Sequence, residues 1–243
     1  MRCIYKKTIL ILCSLTLLSC QQMAIEPSEK EWQPIFDGKT SNGWTVHGLE
    51  TDKLADFWSI KNNILTCATD GDTDHSGSWF IYDEDLTDFE LKFKFRYNKD
   101  LPGNSGIHLR SQLDLPANKM QGPQVDIHPP KVFRTGLLYD ETDGVKHWLF
   151  PKTPSWKLSS YDSPKDLVVF DDGKQWNELY IQAKGTQVIT KLNNVLLVDF
   201  NGDDILNDKI HQELKVGMTG KIAFQLHKKH DIYIEFKDIY LKR

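Results

Sequence analysis

Apolar and charged side chains alternate without a break along Phe89-Glu90-Leu91-Lys92-Phe93-Lys94-Phe95-Arg96-Tyr97. Successive side chains of a β-strand point to opposite faces, so this stretch predicts a strand with one face in a core and the other in water. From Trp32 to the C-terminus, apolar residues sustain no helical periodicity for long. The sequence therefore predicts an all-β fold around this strand.

Further strand-like segments lie on both sides of it and are separated by Gly, Asn and Asp turns. Hairpins are predicted at Asn62-Asn63 and Asn193-Asn194, because asparagine tolerates the left-handed backbone of tight turns. Many short strands joined in this way predict a single β-sandwich or jelly roll over residues 32–243. The other strands are predicted at Phe57–Ile60, Ile64–Cys67, Ile107–Arg110, Val125–His128, Leu137–Asp140, Glu178–Ala183, Val188–Leu192, Val195–Phe200, Lys221–Leu226 and Ile232–Phe236.

The first twenty residues have the pattern of an export signal. Three basic residues precede the apolar segment Thr8–Leu18, which is too short to predict a membrane span. Leu17-Leu18-Ser19-Cys20 resembles a bacterial lipobox, so we expect a signal peptide over 1–19, lipid attachment to Cys20 and a tether over 20–31. Gln21 favours delivery to the outer membrane of the cell envelope. The alternative is an ordinary secretory signal.

Cysteine content and charge exclude several classes of protein. Cys67 is the only cysteine of the predicted domain, which excludes an intrachain disulfide and a cysteine-based zinc or redox motif. It lies in a strand-like run and is expected to be a small buried side chain. Loss of the signal leaves 27 basic against 34 acidic residues, a net charge of −7. With no basic cluster among aromatic residues, nucleic acid is not an expected partner.

Polar side chains of the kinds used in catalysis form two rows. Gln124-Val125-Asp126-Ile127-His128 alternates polar and β-branched residues, so its amide, carboxylate and imidazole project from one face of a strand. Gln225-Leu226-His227 places a second amide and imidazole on one face. Such rows suit sugar binding or acid–base chemistry, whereas the alternative for each is an ordinary solvated strand face.

Other candidates lie on neighbouring strands. His108 and Arg110 are predicted to share a face, where the guanidinium would suit an anionic oxygen or a sugar diol unless it forms a structural salt bridge. Tyr139 and Glu141 mark the polar end of a third strand. Trp148 and Trp156 are expected to be exposed and able to stack on sugar rings.

The first row is similar to the Glu-x-Asp-x-x-Glu arrangement of laminarinase-like jelly-roll glucanases. Retaining hydrolysis requires a carboxylate nucleophile. The corresponding residue here is Gln124, an amide that cannot attack, and no second glutamate follows at the required spacing. The sequence therefore disfavours an ordinary retaining glycosidase.

Several segments, in order from Ile35 to the C-terminus, together resemble the 3-keto-disaccharide hydrolase family of bacterial lectin-like proteins. The resemblance implies a concanavalin-like (LamG-like) jelly-roll β-sandwich that acts on a glycoside with a ketone at C3. Many members have a segment similar to Gly-Tyr-Glu-Val-Gln where this chain has Gly122-Pro123-Gln124-Val125-Asp126. The carboxylate of this chain therefore lies two residues further along the same face than the glutamate of those members. The segments are Ile35-Phe36-Asp37-Gly38-Lys39-Thr40, Gly43-Trp44, Asn104-Ser105-Gly106-Ile107 with Arg110, Thr135-Gly136-Leu137-Leu138-Tyr139, Trp176-Asn177-Glu178, Leu192-Asn193-Asn194-Val195, Gln225-Leu226-His227 and Ile239-Tyr240-Leu241-Lys242.

A C3 ketone acidifies the C2 proton, so a base of modest strength removes it and the C1 group leaves by elimination. Addition of water then completes a net hydrolysis without a carboxylate nucleophile. We hypothesise that His227 is the general base, that Arg110 contacts the developing enolate and that Asp126 orients or exchanges a proton. The expected substrate-binding residues are Gln124, His108, His128, Tyr139, Glu141, Trp148 and Gln225.

Three alternatives remain open from the sequence. Asp126, His128, His108 and His227 could converge on a divalent metal, although their spacing is not a recognised metal motif. The chain could instead be a non-catalytic carbohydrate-binding module, since jelly rolls serve as lectins as well as enzymes. It could also be a structural surface lipoprotein. A single enclosed pocket containing the polar rows would favour the enzyme.

Overall fold

A computed structural model of the chain describes residues 31–49, 57–97, 100–101, 103–128 and 132–243. Glu31–Arg243 forms one unit by its internal contacts. The predicted signal peptide, the lipid-attachment residue Cys20 and nearly all of the predicted tether lie outside the described residues. None of the helices among the described residues is long and apolar enough to cross a membrane.

The described residues contain two antiparallel eight-stranded sheets and one short helix. Their bounds are β1 (Gln33–Pro34), β2 (Trp44–His47), β3 (Trp58–Lys61), β4 (Ile64–Ala68), β5 (Ser78–Tyr82), β6 (Phe89–Tyr97), β7 (Ser105–Asp114), β8 (Lys119–Gln121), β9 (Pro123–Ile127), β10 (Leu138–Asp140), β11 (His147–Phe150), β12 (Asn177–Lys184), β13 (Gln187–Leu192), β14 (Val195–Asn201), α1 (Lys209–Leu214), β15 (Lys221–Leu226) and β16 (Tyr233–Lys242).

The first sheet has the strand order β14-β13-β12-β6-β16-β4-β3, and β1 pairs with β16. The second has the order β11-β10-β9-β7-β15-β5-β2, and β8 pairs with β7. Aromatic side chains join the two sheets, since Phe93 of β6 lies 5.1 Å from Phe224 of β15 between ring centroids. These features confirm the predicted all-β jelly-roll sandwich.

The alternating stretch that predicted the fold is confirmed as β6, with every apolar side chain buried and every charged one partly exposed. Both predicted hairpins are present. Asn62 and Asn63 have φ angles of 53° and 62°, and Asn193 and Asn194 have angles of 48° and 67°. These positive angles are the conformation for which asparagine was expected. Cys67 is confirmed as fully buried.

One element was not predicted. The six-residue helix α1 begins after Asp208, whose side chain accepts a hydrogen bond from the backbone N–H of His211. His211 is fully buried, where its Nε2 lies 2.9 Å from Oδ2 of Asp140 and its Nδ1 lies 2.8 Å from Oδ1 of Asp208. A helix this short is held by its cap and by its tertiary contacts, so it leaves no sustained periodic signal in the sequence.

Candidate active site

Strand β9 presents Gln124 and Asp126 on one face, as predicted, and its other face packs in the core through Val125 and Ile127. Asp126 is nevertheless only 3% exposed, so this row is an enclosed surface rather than a solvated one. The neighbouring β7 makes room for it at Gly106. A Cβ added there would lie 2.7 Å from the Gln124 side chain, closer than carbon atoms normally approach.

A cavity of about 330 Å³ opens over this row. It lies where β9, β10 and β11 meet the loops that follow β9, β11 and β15, so residues more than a hundred positions apart share its wall. Its lining residues are Asn104, Gln124, Asp126, Arg134, Tyr139, Glu141, Trp148, Trp156, His227 and His230.

Asp126 faces a cation in this cavity. The Nε atom of Arg134 lies 3.5 Å from Oδ2 of Asp126. Burial nevertheless raises the pKa of Asp126 to about 7, against the opposing charge of Arg134 and with the help of Glu141. A carboxyl group that titrates near neutral pH can both accept and release a proton under physiological conditions.

His227 lies across the cavity beside His230, with 4.4 Å between their ring centroids. The Nδ1 atom of His227 is 2.9 Å from the carbonyl oxygen of Lys228 and donates to it, which leaves Nε2 unprotonated in the neutral ring. Burial, with a further contribution from His230, lowers the pKa of His227 to about 4. The ring is therefore neutral at pH 7 and a weaker base than an ordinary histidine.

Glu141 and Tyr139 complete the polar wall. Burial raises the pKa of Glu141 above its ordinary range, and the nearby Asp140 adds to the effect while Lys146 opposes it. Burial also raises the pKa of Tyr139, so its hydroxyl group keeps its proton. Its ring packs edge-on against Trp148 at 5.2 Å between centroids. A raised pKa favours the protonated form of both groups, and in that form each can donate a proton.

A second, smaller cavity of about 190 Å³ adjoins the first and shares Glu141 and His227 with it. The predicted residues His108 and Gln225 lie here. The Nε2 atom of His108 is 3.3 Å from the amide nitrogen of Gln124 and 3.5 Å from that of Gln225. The lining residues are Gly77, Trp79, His108, Ala117, Asn118, Lys119, Met120, Glu141, Lys146, Gln225, Leu226, His227 and Lys228.

The predicted place of Arg110 beside His108 is wrong. A β-bulge at Arg110, where φ is 46° and the register between β7 and β15 shifts, breaks the strand alternation. The side chain is 1% exposed and forms an ion pair of 3.1 Å with Asp88. Its guanidinium also donates to the carbonyl oxygens of Thr87, Gly185 and Gly217. Arg110 therefore holds backbone segments together and lines neither cavity.

Two further predictions are corrected in part. Trp148 is only 2% exposed, since its indole is packed under the loop and donates from Nε1 to the carbonyl oxygen of Trp156 at 3.0 Å. Trp156 is 70% exposed at the cavity rim, as expected. His128 follows the end of β9 and lines neither of the two cavities. Among the described residues, no three His, Cys, Asp or Glu side chains come together as a metal site.

Sequence reasoning missed three residues of the larger cavity, namely Arg134, His230 and Asn104. Arg134 lies in an irregular loop with no motif. His230 follows two lysines in a segment with no motif, and its Nδ1 accepts a hydrogen bond of 2.8 Å from the backbone N–H of Asn104. The Asn104-Ser105-Gly106 segment was recognised, but nothing in its residues indicates the contact with His230.

A family model described as the 3-keto-alpha-glucoside-1,2-lyase-like domain matches residues 31–242 of the chain. A curated relative from Bacteroides thetaiotaomicron, named 3-keto-disaccharide hydrolase, is 27% identical over 168 residues. That match covers 63% of this chain and 53% of the relative, so the chain spans about half of the relative's length.

Solved structures support the fold. An inferred glycosyl hydrolase from Parabacteroides distasonis superposes with a TM-score of 0.57 at 17% identity, covering 87% of this chain and 93% of that one. A Bacillus subtilis protein with a galectin-like fold gives a TM-score of 0.56 at 13% identity, covering 87% and 94%. A carbohydrate-binding module, also from Bacillus subtilis, gives 0.50 at 15%, covering 83% and 96%.

Proposed function

Because this chain belongs to the family of 3-keto-alpha-glucoside-1,2-lyase-like domains, we propose that it cleaves the glycosidic bond of 3-keto-glycosides by elimination followed by hydration. The observation that carries the proposal is a buried carboxyl group, Asp126, whose pKa is raised to about 7 beside the guanidinium of Arg134. A base near neutrality and a neighbouring cation are the two groups that enolate formation requires.

The base in this proposal is Asp126 rather than His227. A base is most effective when its pKa is near the working pH, and the pKa of His227 is lowered to about 4. Asp126 takes the C2 proton, the electron pair of the C2–H bond moves into the C2–C3 bond, and negative charge develops on the C3 oxygen. Arg134 stabilises that charge, and the neutral His227 accepts a hydrogen bond at Nε2 from a sugar hydroxyl group.

The enolate then collapses. The C3 carbonyl re-forms, a C1–C2 double bond forms, and the C1–O bond breaks as Glu141 gives its proton to the leaving oxygen. In the hydration half, Glu141 takes a proton from water, the hydroxide adds to C1, and Asp126 returns its proton to C2. Each carboxyl group ends in its starting state, and the net reaction is hydrolysis.

We expect Asp126→Asn to lower kcat on 3-keto-trehalose by at least about 100-fold, since the amide cannot accept the C2 proton. Turnover and the appearance of a 2-hydroxy-glucal intermediate measure the effect. Asp199→Asn, which changes an exposed residue of β14 in the other sheet, is the matched control and should keep full activity. A fully active Asp126→Asn would remove Asp126 as the base.

The alternative of a non-catalytic carbohydrate-binding module is favoured by one observation, the exposed indole of Trp156 at the rim of the cavity. An exposed aromatic ring can stack on a sugar without any chemistry. Binding of 3-keto-trehalose by the unaltered protein with no turnover would support this alternative. Loss of that binding in Trp156→Ala would then place the bound sugar at the rim of the cavity.

We also propose that the mature chain is anchored through a lipid on Cys20 and faces the periplasm or the cell surface. The proposal is supported by the lipobox-like residues that precede this cysteine. In cells fed labelled palmitate, the chain should carry the label and fractionate with outer membranes. Cys20→Ser should carry no label, and a labelled variant would contradict the assignment.

A further inference from the structure

Two histidines of the loop between β15 and β16 line the larger cavity side by side. The centroids of the His227 and His230 rings are 4.4 Å apart, and the ring planes are inclined by 36°. Both side chains are half-buried, so part of each ring is open to the cavity. The proposed reaction uses His227 and leaves His230 without a role.

Contacts with the backbone fix the proton of each ring on a different nitrogen. The Nδ1 atom of His227 donates to the carbonyl oxygen of Lys228, so its Nε2 is an acceptor. The Nδ1 atom of His230 accepts the backbone N–H of Asn104 at 2.8 Å, so the proton of the neutral ring is on Nε2, which is a donor. The two rings therefore offer one acceptor and one donor.

Both rings are neutral at pH 7, so the two tautomers persist there. The pKa of His227 is lowered to about 4. Burial lowers the pKa of His230, and Arg134 and His75 add to the effect. A neutral donor beside a neutral acceptor matches a hydroxyl group, which both accepts and donates, whereas a ketone only accepts and an ammonium group only donates.

The loop that carries the two histidines is held on both sides. The backbone N–H of His227 donates to the carbonyl oxygen of Asn104 at 3.3 Å. The carbonyl oxygen of His230 lies 3.0 Å from Nε2 of His75, and the backbone N–H of Lys229 donates to the carbonyl oxygen of His75 at 3.2 Å. Because the donor and the acceptor are in place before a ligand binds, little entropy is lost in ordering them.

The position of Arg134 indicates which hydroxyl group of the sugar reaches the two rings. Arg134 lines the same cavity, and its charge lowers the pKa of both His227 and His230, so the guanidinium lies near the two rings. In the proposed reaction Arg134 stabilises charge on the C3 oxygen and Asp126 faces C2. The other ring neighbour of C3 is C4, so the hydroxyl group on C4 lies on the side of the histidines.

We propose that His227 and His230 together bind the C4 hydroxyl group of the oxidised ring, which donates to Nε2 of His227 and accepts from Nε2 of His230. The inference rests on the proposed function and makes His230 a specificity-determining residue. A sugar with hydrogen at C4 leaves both nitrogens without a partner, and a second ketone at C4 leaves Nε2 of His227 without one.

The test compares kcat/KM for 3-keto-trehalose with kcat/KM for the analogue that lacks the C4 hydroxyl group in the oxidised ring. Two variants separate the roles of the two nitrogens of His230. His230→Asn places an amide oxygen near the position of Nδ1, so it keeps the acceptor for Asn104 and removes the donor at Nε2. His230→Gln places an amide nitrogen near the position of Nε2, so it keeps the donor and removes the acceptor.

The unaltered protein should prefer 3-keto-trehalose to the deoxy analogue by at least about tenfold, since the analogue forms neither hydrogen bond. His230→Asn should raise KM for 3-keto-trehalose about tenfold, keep kcat within about twofold and leave kcat/KM for the analogue unchanged. His230→Gln should retain most of the preference. Asp199→Asn should change neither value.

Several outcomes would overturn the inference. A greater loss in His230→Gln than in His230→Asn would show that the ring serves only to hold Asn104. Equal losses on both substrates would indicate a general structural effect, and full activity of His230→Asn would exclude a contact with the substrate. Unaltered protein that turns over both substrates equally well would exclude the contact with the C4 hydroxyl group while leaving the proposed function intact. Unaltered protein that turns over neither substrate would instead remove the proposed function, and this inference with it.

Discussion

Asp126 shows how a common residue acquires a special property from its surroundings. Aspartate on an exposed strand is ionised above about pH 4. Here the side chain is 3% exposed, and burial raises its pKa to about 7 even though Arg134 lies 3.5 Å away. The alternating sequence predicted its face correctly, but only burial brings the pKa of this carboxyl group close to neutral pH.

The pH dependence of turnover distinguishes the two candidate bases. Because a base works in its deprotonated form, the acid limb of kcat/KM should lie near pH 7 if Asp126 takes the proton, and kcat/KM should fall again at higher pH as Glu141 loses the proton that it donates. An acid limb near pH 4 would assign the base to His227 instead. Initial rates on 3-keto-trehalose from pH 3 to 9 measure the profile, and a Tm recorded at each pH controls for unfolding.

Strands β7 and β9 were both predicted, but only β9 keeps its alternating side chains on the faces that the sequence predicts. In β9 the alternation holds from end to end, and so Gln124 and Asp126 share a face. In β7 the bulge at Arg110 changes the alternation, and the side chain leaves the face that His108 occupies. A bulge depends on pairing with the neighbouring strand, which a local pattern does not record.

Arg110 is expected to act on stability rather than turnover. Arg110→Met leaves three carbonyl oxygens without the guanidinium that donates to them, and we expect the free energy of unfolding to fall by about 3 kcal/mol. Urea unfolding measures the change. Lys94→Met, which breaks the half-exposed pair with Asp238, is the control and should cost no more than about 1 kcal/mol.

Retained stability with loss of activity on 3-keto-trehalose would contradict this structural role of Arg110. It would favour the direct contact with the enolate that the sequence first indicated.

At the scale of the whole molecule, side chains are buried in two ways. The core between the sheets keeps some of them away from solvent, and the loops over the second sheet enclose others in a cavity. Cys67 lies in the core with no exposed surface, and burial raises the pKa of its thiol. The larger cavity, in contrast, draws residues from five separate segments between Asn104 and His230. Such a site exists only when the second sheet and its loops are assembled.

Cys67 therefore provides a measure of global unfolding. A thiol reagent should fail to label it in the native protein, and the labelling rate in increasing urea should follow the unfolding transition measured by circular dichroism. Peptide mapping by mass spectrometry assigns the label to this cysteine. Rapid labelling under native conditions would show that the sandwich opens locally around β4.

The sequence alone determined the all-β class, both Asn-Asn hairpins, the alternating face of β6 and the shared face of Gln124 and Asp126. Each of these features depends on residues that are close together in the chain. The strand features follow from the two-residue repeat of side-chain direction, and the hairpins follow from the φ preference of a turn residue. Only the tertiary structure placed Arg134 and His230 in the cavity and removed Arg110 from it. Those positions depend on long-range pairing and on burial, and burial also changes proton affinity.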